Sequence, residues 1–408
     1  MKKVLIWDTF PLENIGGPMG YLYNLHEYLK EHPSAQITFL SDLMADLTGE
    51  KTIWKKSNIQ PKIEPRSRFG QIYRRLSDVY ARCFLPFKRV EYDVPKINVD
   101  KYDYVHIHMI PHVLQFRKLF PKYKGKVILT THCPCTWTDE ILYDTASETS
   151  KLNRVIHFIR PFILRNECRA YRAADYIMFP CEGAKEPYQK DTKVAKIFAE
   201  IEDRFFYVPS SLPDYIVNIK TQQKFSEIGI PDDAFVITYF GRHIAIKGYD
   251  ILREVGLKLL DLFPNLYVLC AGKGNIQAPS HPRWIELGFI RNVDDLLPQS
   301  NLYILPNRET YFDLIALQIL RAGVPLVLSN TGGNKYFKEL PSDETIGMRF
   351  FDIEDKAQIL SIAKNLIEAK QTALSNYNKM SAGNRSLYEK YFTIDKYVAT
   401  YIAAIEQL

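Results

Sequence analysis

Two cationic side chains five residues apart, Arg242 and Lys247 in FGRHIAIKGYDIL, follow a short apolar run and precede an amphipathic one. In an alternating strand and helix pattern the residues just past each strand carry ligands, because the carboxyl edge of an open parallel sheet is where crevices form. A guanidinium and an ammonium held beside a helix N-terminus, with its unpaired N–H groups, suit a pyrophosphate. Taken alone, Arg242 is equally a solvated side chain paired with a surface Asp. The same edge receives Gly241, then Gly272, Lys273 and Gly274 of LYVLCAGKG, and then NRETYFDLIALQILRAGVPLVLSNTGG, residues 307–333. That last stretch reads as strand end, loop, helix, strand and a second glycine loop. It places Glu309, Thr310, Tyr311, Phe312 and Asp313 at the mouth of a loop and Gln318 inside the next helix. Glu309 is either a ligand-facing acid or a helix-start charge favoured by the macrodipole.

Positioning these residues requires a sheet. VLIW, QITFLSD, YDYVHIHMI, GKVILTTHC, ADYIMFPCE and FFYVPS alternate with longer amphipathic segments, and FVITYFGRH, NLYVLCAGKG, NLYILPN and VPLVLSN form a second such series. The pattern predicts an α/β chain of two consecutive Rossmann-like, doubly wound domains. The prolines Pro209, Pro213 and Pro231 put the boundary in the 207–233 region. The expected domains are 1–207 and 208–389, with an amphipathic helix in 390–408 packing back on the first.

Composition narrows the function. The chain has 408 residues, 46% hydrophobic, with 53 Lys and Arg against 47 Asp and Glu. A surplus of only six positive charges argues against a nucleic-acid partner. Six scattered cysteines, Cys83, Cys133, Cys135, Cys168, Cys181 and Cys270, are expected as free thiols in a reducing cytosol. Cys133 and Cys135 beside His132 have poor zinc spacing, so no metal site is expected. MKKVLIWDTF has too short an apolar run for a secretory leader, and no apolar run is long enough to span a bilayer. The expected location is cytoplasmic, peripheral at the inner face of the cell membrane.

From FGRHIAIKGYDIL through LYVLCAGKG to the 307–333 stretch, the order and spacing across residues 235–340 resemble the nucleotide-sugar half of family-4 glycosyltransferases of the GT-B fold. The first half resembles them more loosely, through Gly16–Gly17 after the first strand, VHIH at 105–108, TTH at 130–132 and ADYIMFPCEGAKE at 174–186. The resemblance implies a retaining transfer of a sugar from a UDP- or GDP-sugar donor to a glycan or lipid-linked acceptor in cell-surface polysaccharide synthesis. It implies no cofactor. Arg242 and Lys247 then hold the donor diphosphate, and His108 faces the donor sugar. Gly16, Gly17, Gly241, Gly272 and Gly274 allow close approach of backbone to ligand, or serve as plain tight turns.

The family's paired glutamates, seven residues apart, do not transfer directly. Eight residues separate Glu309 from Gln318, so either the loop has gained a residue or Thr310 fills the first glutamate's slot. The resemblance implies that the first contacts the transferred sugar and that the second accepts from the ribose diol. Gln318 retains an acceptor oxygen but loses the charge. TYFD replaces the usual small, glycine-containing segment, so Tyr311, Phe312 and Asp313 are expected to shape the donor pocket. The second reading, a catalytically degenerate binding or scaffold subunit of a glycosyltransferase complex, rests on these two departures.

Residues 67–89 and 151–172 mix arginines with large apolar residues. Such segments suit an anionic membrane surface or an acidic glycan. The alternative is that their apolar faces pack on the sheet while the arginines are simply solvated.

Overall fold

Runs such as VLIW, YVHI, VILT, FVITYF and LYIL are apolar without alternation, which is what a parallel strand covered on both faces requires. The computed structural model describes residues 1–13, 17–48, 77, 79–88, 97–148, 153–215 and 224–408. These residues fall into two units, one of Met1–Phe179, Tyr188–Val208 and Thr400–Leu408, the other of Pro180–Pro187 and Pro209–Ala399. The eight residues 180–187 thus group with the second unit, and of the 390–408 segment only the last nine residues group with the first.

The first unit is built on β1 (Val4–Trp7), β2 (Ile37–Phe39), β3 (Tyr104–Ile107), β4 (Lys126–Thr130), β5 (Tyr176–Phe179) and β6 (Phe205–Tyr207), all parallel in the order β2-β1-β3-β4-β5-β6. The strand order reverses between β1 and β3, so the crevice expected of such a sheet lies past Trp7 and Ile107. Helices Gly17–Glu31, Ile110–Leu119, Asn153–Ala173 and Thr192–Glu200 connect the strands. Asp191 starts the last of these by accepting from Lys193 N and Val194 N.

A second helix start is held by a carboxylate from elsewhere in the chain. Glu167, fully buried, accepts from Trp137 N at 2.8 Å, from Thr138 N at 2.9 Å and from Tyr171 Oη at 2.5 Å. Burial pushes its pKa up while these donors and the helix dipole favour its charge.

The second unit contains β7 (Phe235–Phe240), β8 (Leu266–Ala271), β9 (Trp284–Glu286), β10 (Leu302–Leu305), β11 (Leu326–Ser329) and β12 (Met348–Phe351), parallel in the order β12-β11-β10-β7-β8-β9. Here the reversal falls between β7 and β10. Helix Tyr249–Leu262 buries Leu252, Val255 and Leu259 against Ile237 and Val268, and helix Lys356–Thr372 adds Ile359 and Ala363 to the same core. The strands β9 and β12, which close the two edges, were not expected from the sequence. All six cysteines are buried free thiols, and among the described residues no helix is long and apolar enough to cross a membrane.

Three imidazoles of the first unit, His106, His108 and His112, are buried, and His132 lies half-buried beside them. His106 Nδ1 meets Tyr401 Oη at 2.7 Å and its Nε2 meets Thr130 Oγ1 at 2.8 Å, while Thr9 Oγ1 lies 2.8 Å from His112 Nδ1. Burial lowers the pKa of His112 to about 4 and that of His132 to about 3; burial, with neighbouring imidazoles, also holds His106 and His108 well below the usual value. Folded values below the unfolded value mean stability that is complete above pH 6.5 and lost as pH falls, at about 1.4 kcal/mol per pH unit for each group that must stay neutral. Buried Asp8, raised to about 7, and Glu167, also raised, act in the opposite sense. Four groups outweigh two. The melting temperature is therefore expected to fall as pH drops from 7 to 5, and a flat or rising profile in thermal unfolding would refute the buried neutral cluster.

Candidate functional site

The site in the second unit grows from the reversal between β7 and β10. β7 ends at Phe240, and the chain continues through Gly241, Arg242 and His243 into a single 3-10 turn, Ala245–Lys247. Gly248 then adopts φ +66° and opens the Tyr249–Leu262 helix. A side chain at Gly248 would place its Cβ 1.8 Å from Pro306 O, so the β7 loop can lie on the β10 loop only with glycine here.

The β10 loop is clasped from its other side as well. A Cβ on Gly332 would sit 2.2 Å from Thr310 O and one on Gly333 1.8 Å from Tyr311 O, while Gly333 N donates to Thr310 O at 3.1 Å. Ser329 Oγ donates to Asn307 O at 2.6 Å and Thr331 Oγ1 to Arg308 O at 3.1 Å. Glu186, from the 180–187 excursion, accepts from Gly332 N at 3.1 Å and pairs with Lys335 at 2.7 Å. Residues 306–312 are thus held at several backbone atoms.

This clamping presents one ion pair. Lys247 Nζ lies 2.8 and 2.9 Å from the two oxygens of Asp313, each side chain less than one-fifth exposed, and Asn307 Nδ2 donates to the same carboxylate. Asp313 is the residue before helix Leu314–Arg321, yet its side chain makes no capping bond; it faces Lys247 instead. Arg308, on the preceding turn, is a structural clamp. Its guanidinium takes Asp250 in a bidentate pair at 2.8 Å and also pairs with Glu354. That hydrogen-bonded guanidinium holds the Asp250 carboxyl below its usual value.

Glu309 is half-buried and lies five residues ahead of Leu314, where the helix begins. A macrodipole effect fades beyond the first turn, so the helix-start role does not apply to it. Thr310 is fully buried, its Oγ1 without a partner among the described residues and its carbonyl facing the glycine clasp. Tyr311 is buried. Phe312 packs its ring with Tyr336, Phe337 and Phe392 at centroid distances of 5.7, 5.3 and 6.2 Å, so its side chain supports the loop from within.

Gln318 has a physical reason to be an amide. Its Nε2 lies 3.3 and 3.4 Å from the oxygens of Asp294, whose carboxylate also pairs with Arg321. Arg321 in turn lies over the Tyr215 ring, 5.5 Å from its centroid. A glutamate at 318 would face Asp294 with no proton to donate.

Gly272 and Gly274 belong to a loop-on-loop contact. Their Cβ atoms would fall 1.9 Å from Gly241 O and 2.1 Å from His243 O. Behind them His243 stacks on Tyr249, 3.8 Å between centroids, and lies 3.7 Å from Glu286, which accepts from Trp284 Nε1 at 2.8 Å and from Tyr249 Oη. Burial lowers the His243 pKa, against the opposing pull of Glu286.

In the first unit the corresponding reversal brings together the ends of β1 and β3. His108 Nδ1 lies 2.9 Å from His132 Nε2, its ring lies tilted against His106 with centroids 4.1 Å apart, and the Tyr21 ring lies 4.8 Å from that of His132. His132 adopts φ +56°, a conformation costly for a residue with a Cβ. His108 Nε2 is buried with no hydrogen-bond partner among the described residues. An unpaired buried nitrogen costs about 1–3 kcal/mol, which a ligand hydroxyl would recover. Asp8, just past β1, accepts from Ser41 N at 3.0 Å, and its Oδ2 has no partner among the described residues. Gly17, at φ +59°, opens the Gly17–Glu31 helix; Gly16 lies outside the described residues.

The roles of Arg308, Asp294, Glu186 and Asp8 were not read from sequence. Each acts through a partner distant in the chain, 58 positions for Arg308 and Asp250, and no local spacing marks it.

Residues 234–368 match the family model of glycosyl transferases group 1. D-inositol 3-phosphate glycosyltransferase 1 of Catenulispora acidiphila is 27% identical over 205 residues, 44% of this chain and 47% of that protein. The match thus spans about half the length of that curated relative. Among solved structures, sucrose-phosphate synthase of Thermosynechococcus elongatus aligns with a TM-score of 0.63 at 14% identity, covering 100% of this chain and 99% of its own. HepE of Anabaena, solved in complex with UDP-glucose, aligns at 0.60 and 12%, with both chains covered in full. The chain therefore has the GT-B fold, and its residues 234–368 are similar to the group 1 glycosyl transferases.

Proposed function

We propose that the protein is a metal-independent, retaining hexosyltransferase of the family-4 type, taking a UDP- or GDP-sugar as donor. The observation that carries the reading is the clamped Lys247–Asp313 pair, five residues from Arg242, at the strand-order reversal of a group 1 domain. Arg242 and Lys247 take the diphosphate, and their fixed charges offset the charge that grows on the leaving phosphate. The N–H groups opening Leu314–Arg321 add to this field. Glu309 meets the transferred sugar, and Gln318 offers Oε1 to the ribose diol while its NH2 stays on Asp294.

In the transfer the bond from the anomeric carbon to the phosphate oxygen breaks and a bond from that carbon to the acceptor hydroxyl forms on the same face. The acceptor proton passes to the departing phosphate oxygen, so no protein nucleophile is required. His108 contributes a neutral imidazole whose unpaired Nε2 meets a sugar hydroxyl. The acceptor is a glycan or lipid-linked intermediate of cell-surface polysaccharide synthesis, met by a peripheral protein at the cytoplasmic side of an anionic membrane. Of the two basic segments that motivate this placement, 67–89 and 151–172, residues 67–76, 78, 89, 151 and 152 fall outside the described residues.

A thermal-shift panel of UDP, GDP, ADP and their sugars tests the donor reading. A ligand at 100 times its Kd stabilises by about 2.7 kcal/mol, a shift of several degrees. One nucleotide class is expected to raise the melting temperature, and Arg242→Ala and Lys247→Ala are each expected to abolish the rise. A flat panel with wild type, repeated in the presence of acceptor lipid, would instead favour the binding-subunit reading.

Gln318→Glu gives a second, opposite-going test. It restores the acid of the resembled family but sets two carboxylates together at Asp294. Nucleotide affinity measured by calorimetry is expected to fall about three- to tenfold, the equivalent of roughly 1 kcal/mol. Tighter binding would separate the Asp294 contact from the donor site.

A further inference from the structure

We propose that the outward stripe of helix Asn153–Ala173, carrying Phe158, Phe162, Arg165 and Arg169, docks the first unit on an anionic lipid bilayer. The helix divides cleanly. Ile163, Leu164, Glu167, Cys168, Ala170 and Tyr171 are buried, each at most 7% exposed. Phe158 and Phe162 project the other way, 73% and 54% exposed, with ring centroids 6.0 Å apart. Their apolar surface therefore does not pack on the sheet, the alternative that the sequence left open.

Steps of four, three and four residues keep Phe158, Phe162, Arg165 and Arg169 on one side of the helix, along about 16 Å of its axis. Charge decides what that side faces. Elsewhere around this helix the guanidiniums are neutralised: Arg160 by Asp139 and Asp191, Arg172 by Glu200, and Arg117 of the packed Ile110–Leu119 helix by Asp175. Arg165 and Arg169 are exposed and pair with no carboxylate among the described residues. No acidic residue lies on the stripe between Phe158 and Arg169.

Two projecting rings need a phase that yields around them, and the neighbouring guanidiniums need anions at the boundary of that phase. A bilayer with acidic headgroups supplies both, the rings entering the acyl boundary and the arginines snorkelling to the phosphates. Docking does not depend on the transferase reading; presentation of a lipid-linked acceptor to the site rests on it.

The test is co-sedimentation of the full chain with phosphatidylcholine vesicles, with and without phosphatidylglycerol, at low and high salt. Binding is expected only with phosphatidylglycerol and is expected to weaken with salt. The double variant Arg165→Gln/Arg169→Gln should bind about 30-fold more weakly, since each basic residue near such a surface contributes about fivefold. Phe158→Ser/Phe162→Ser should lose at least tenfold, with the salt dependence of the remainder preserved. Equal binding to both vesicle types, or wild-type binding by both double variants, would overturn the proposal. So would a salt-insensitive dimer, seen in sedimentation velocity, that the phenylalanine variant dissolves while vesicles go unbound. Unchanged melting temperatures establish that the variants fold. Their nucleotide-induced shifts report on the transferase reading separately.

Discussion

The ion pair between Lys247 and Asp313 organises the second unit's functional edge. At 2.8 Å and largely buried, its gross attraction is on the order of 5 kcal/mol in an effective medium of protein polarity. Desolvation takes back much of this, so the pair is better understood as a positioning device than as a source of stability. It works only because the loop bearing Asp313 cannot drift. Gly248 on one side and Gly332 and Gly333 on the other bring three backbone segments to distances that any Cβ would forbid. Arg308 then ties the same loop to Asp250 and Glu354. The cation is thereby fixed before any ligand arrives, which is the condition for electrostatic stabilisation without reorganisation.

The first unit solves a different problem at its own strand reversal. Its imidazoles at the ends of β3 and β4 are kept neutral by burial and are paired with hydroxyls and with one another. His106 between Tyr401 and Thr130 can be satisfied in either tautomer, because both partners can donate or accept. His108 is satisfied on one nitrogen only.

Much of the fold was legible because the central strands are covered on both faces and must be continuously apolar. The edge strands were not. Trp284–Glu286 has three residues and ends in a carboxylate, and Met348–Phe351 carries an exposed arginine, the kind of short, charged edge that resists further pairing and breaks an apolar pattern. At the site, position after a strand identified Arg242, Lys247 and the 307–313 loop, since parallel topology alone sends those residues to one edge. Partner identity was not legible. Nothing near Gln318 in sequence indicates that Asp294, 24 positions earlier, needs its amide, and nothing in TYFD separates Phe312, which turns into an aromatic cluster, from Asp313, which turns to Lys247. In the 151–172 segment, sequence gave a mixture of arginine and phenylalanine; which of them face out depended on the packing of one helix.

A crystal structure of the chain with UDP would test the central claim most directly. The account predicts the diphosphate within hydrogen-bond distance of both Arg242 and Lys247, with the 306–313 loop unmoved and the ribose beside Gln318. A nucleotide bound elsewhere, or one that leaves the Lys247–Asp313 pair untouched and out of reach, would contradict it.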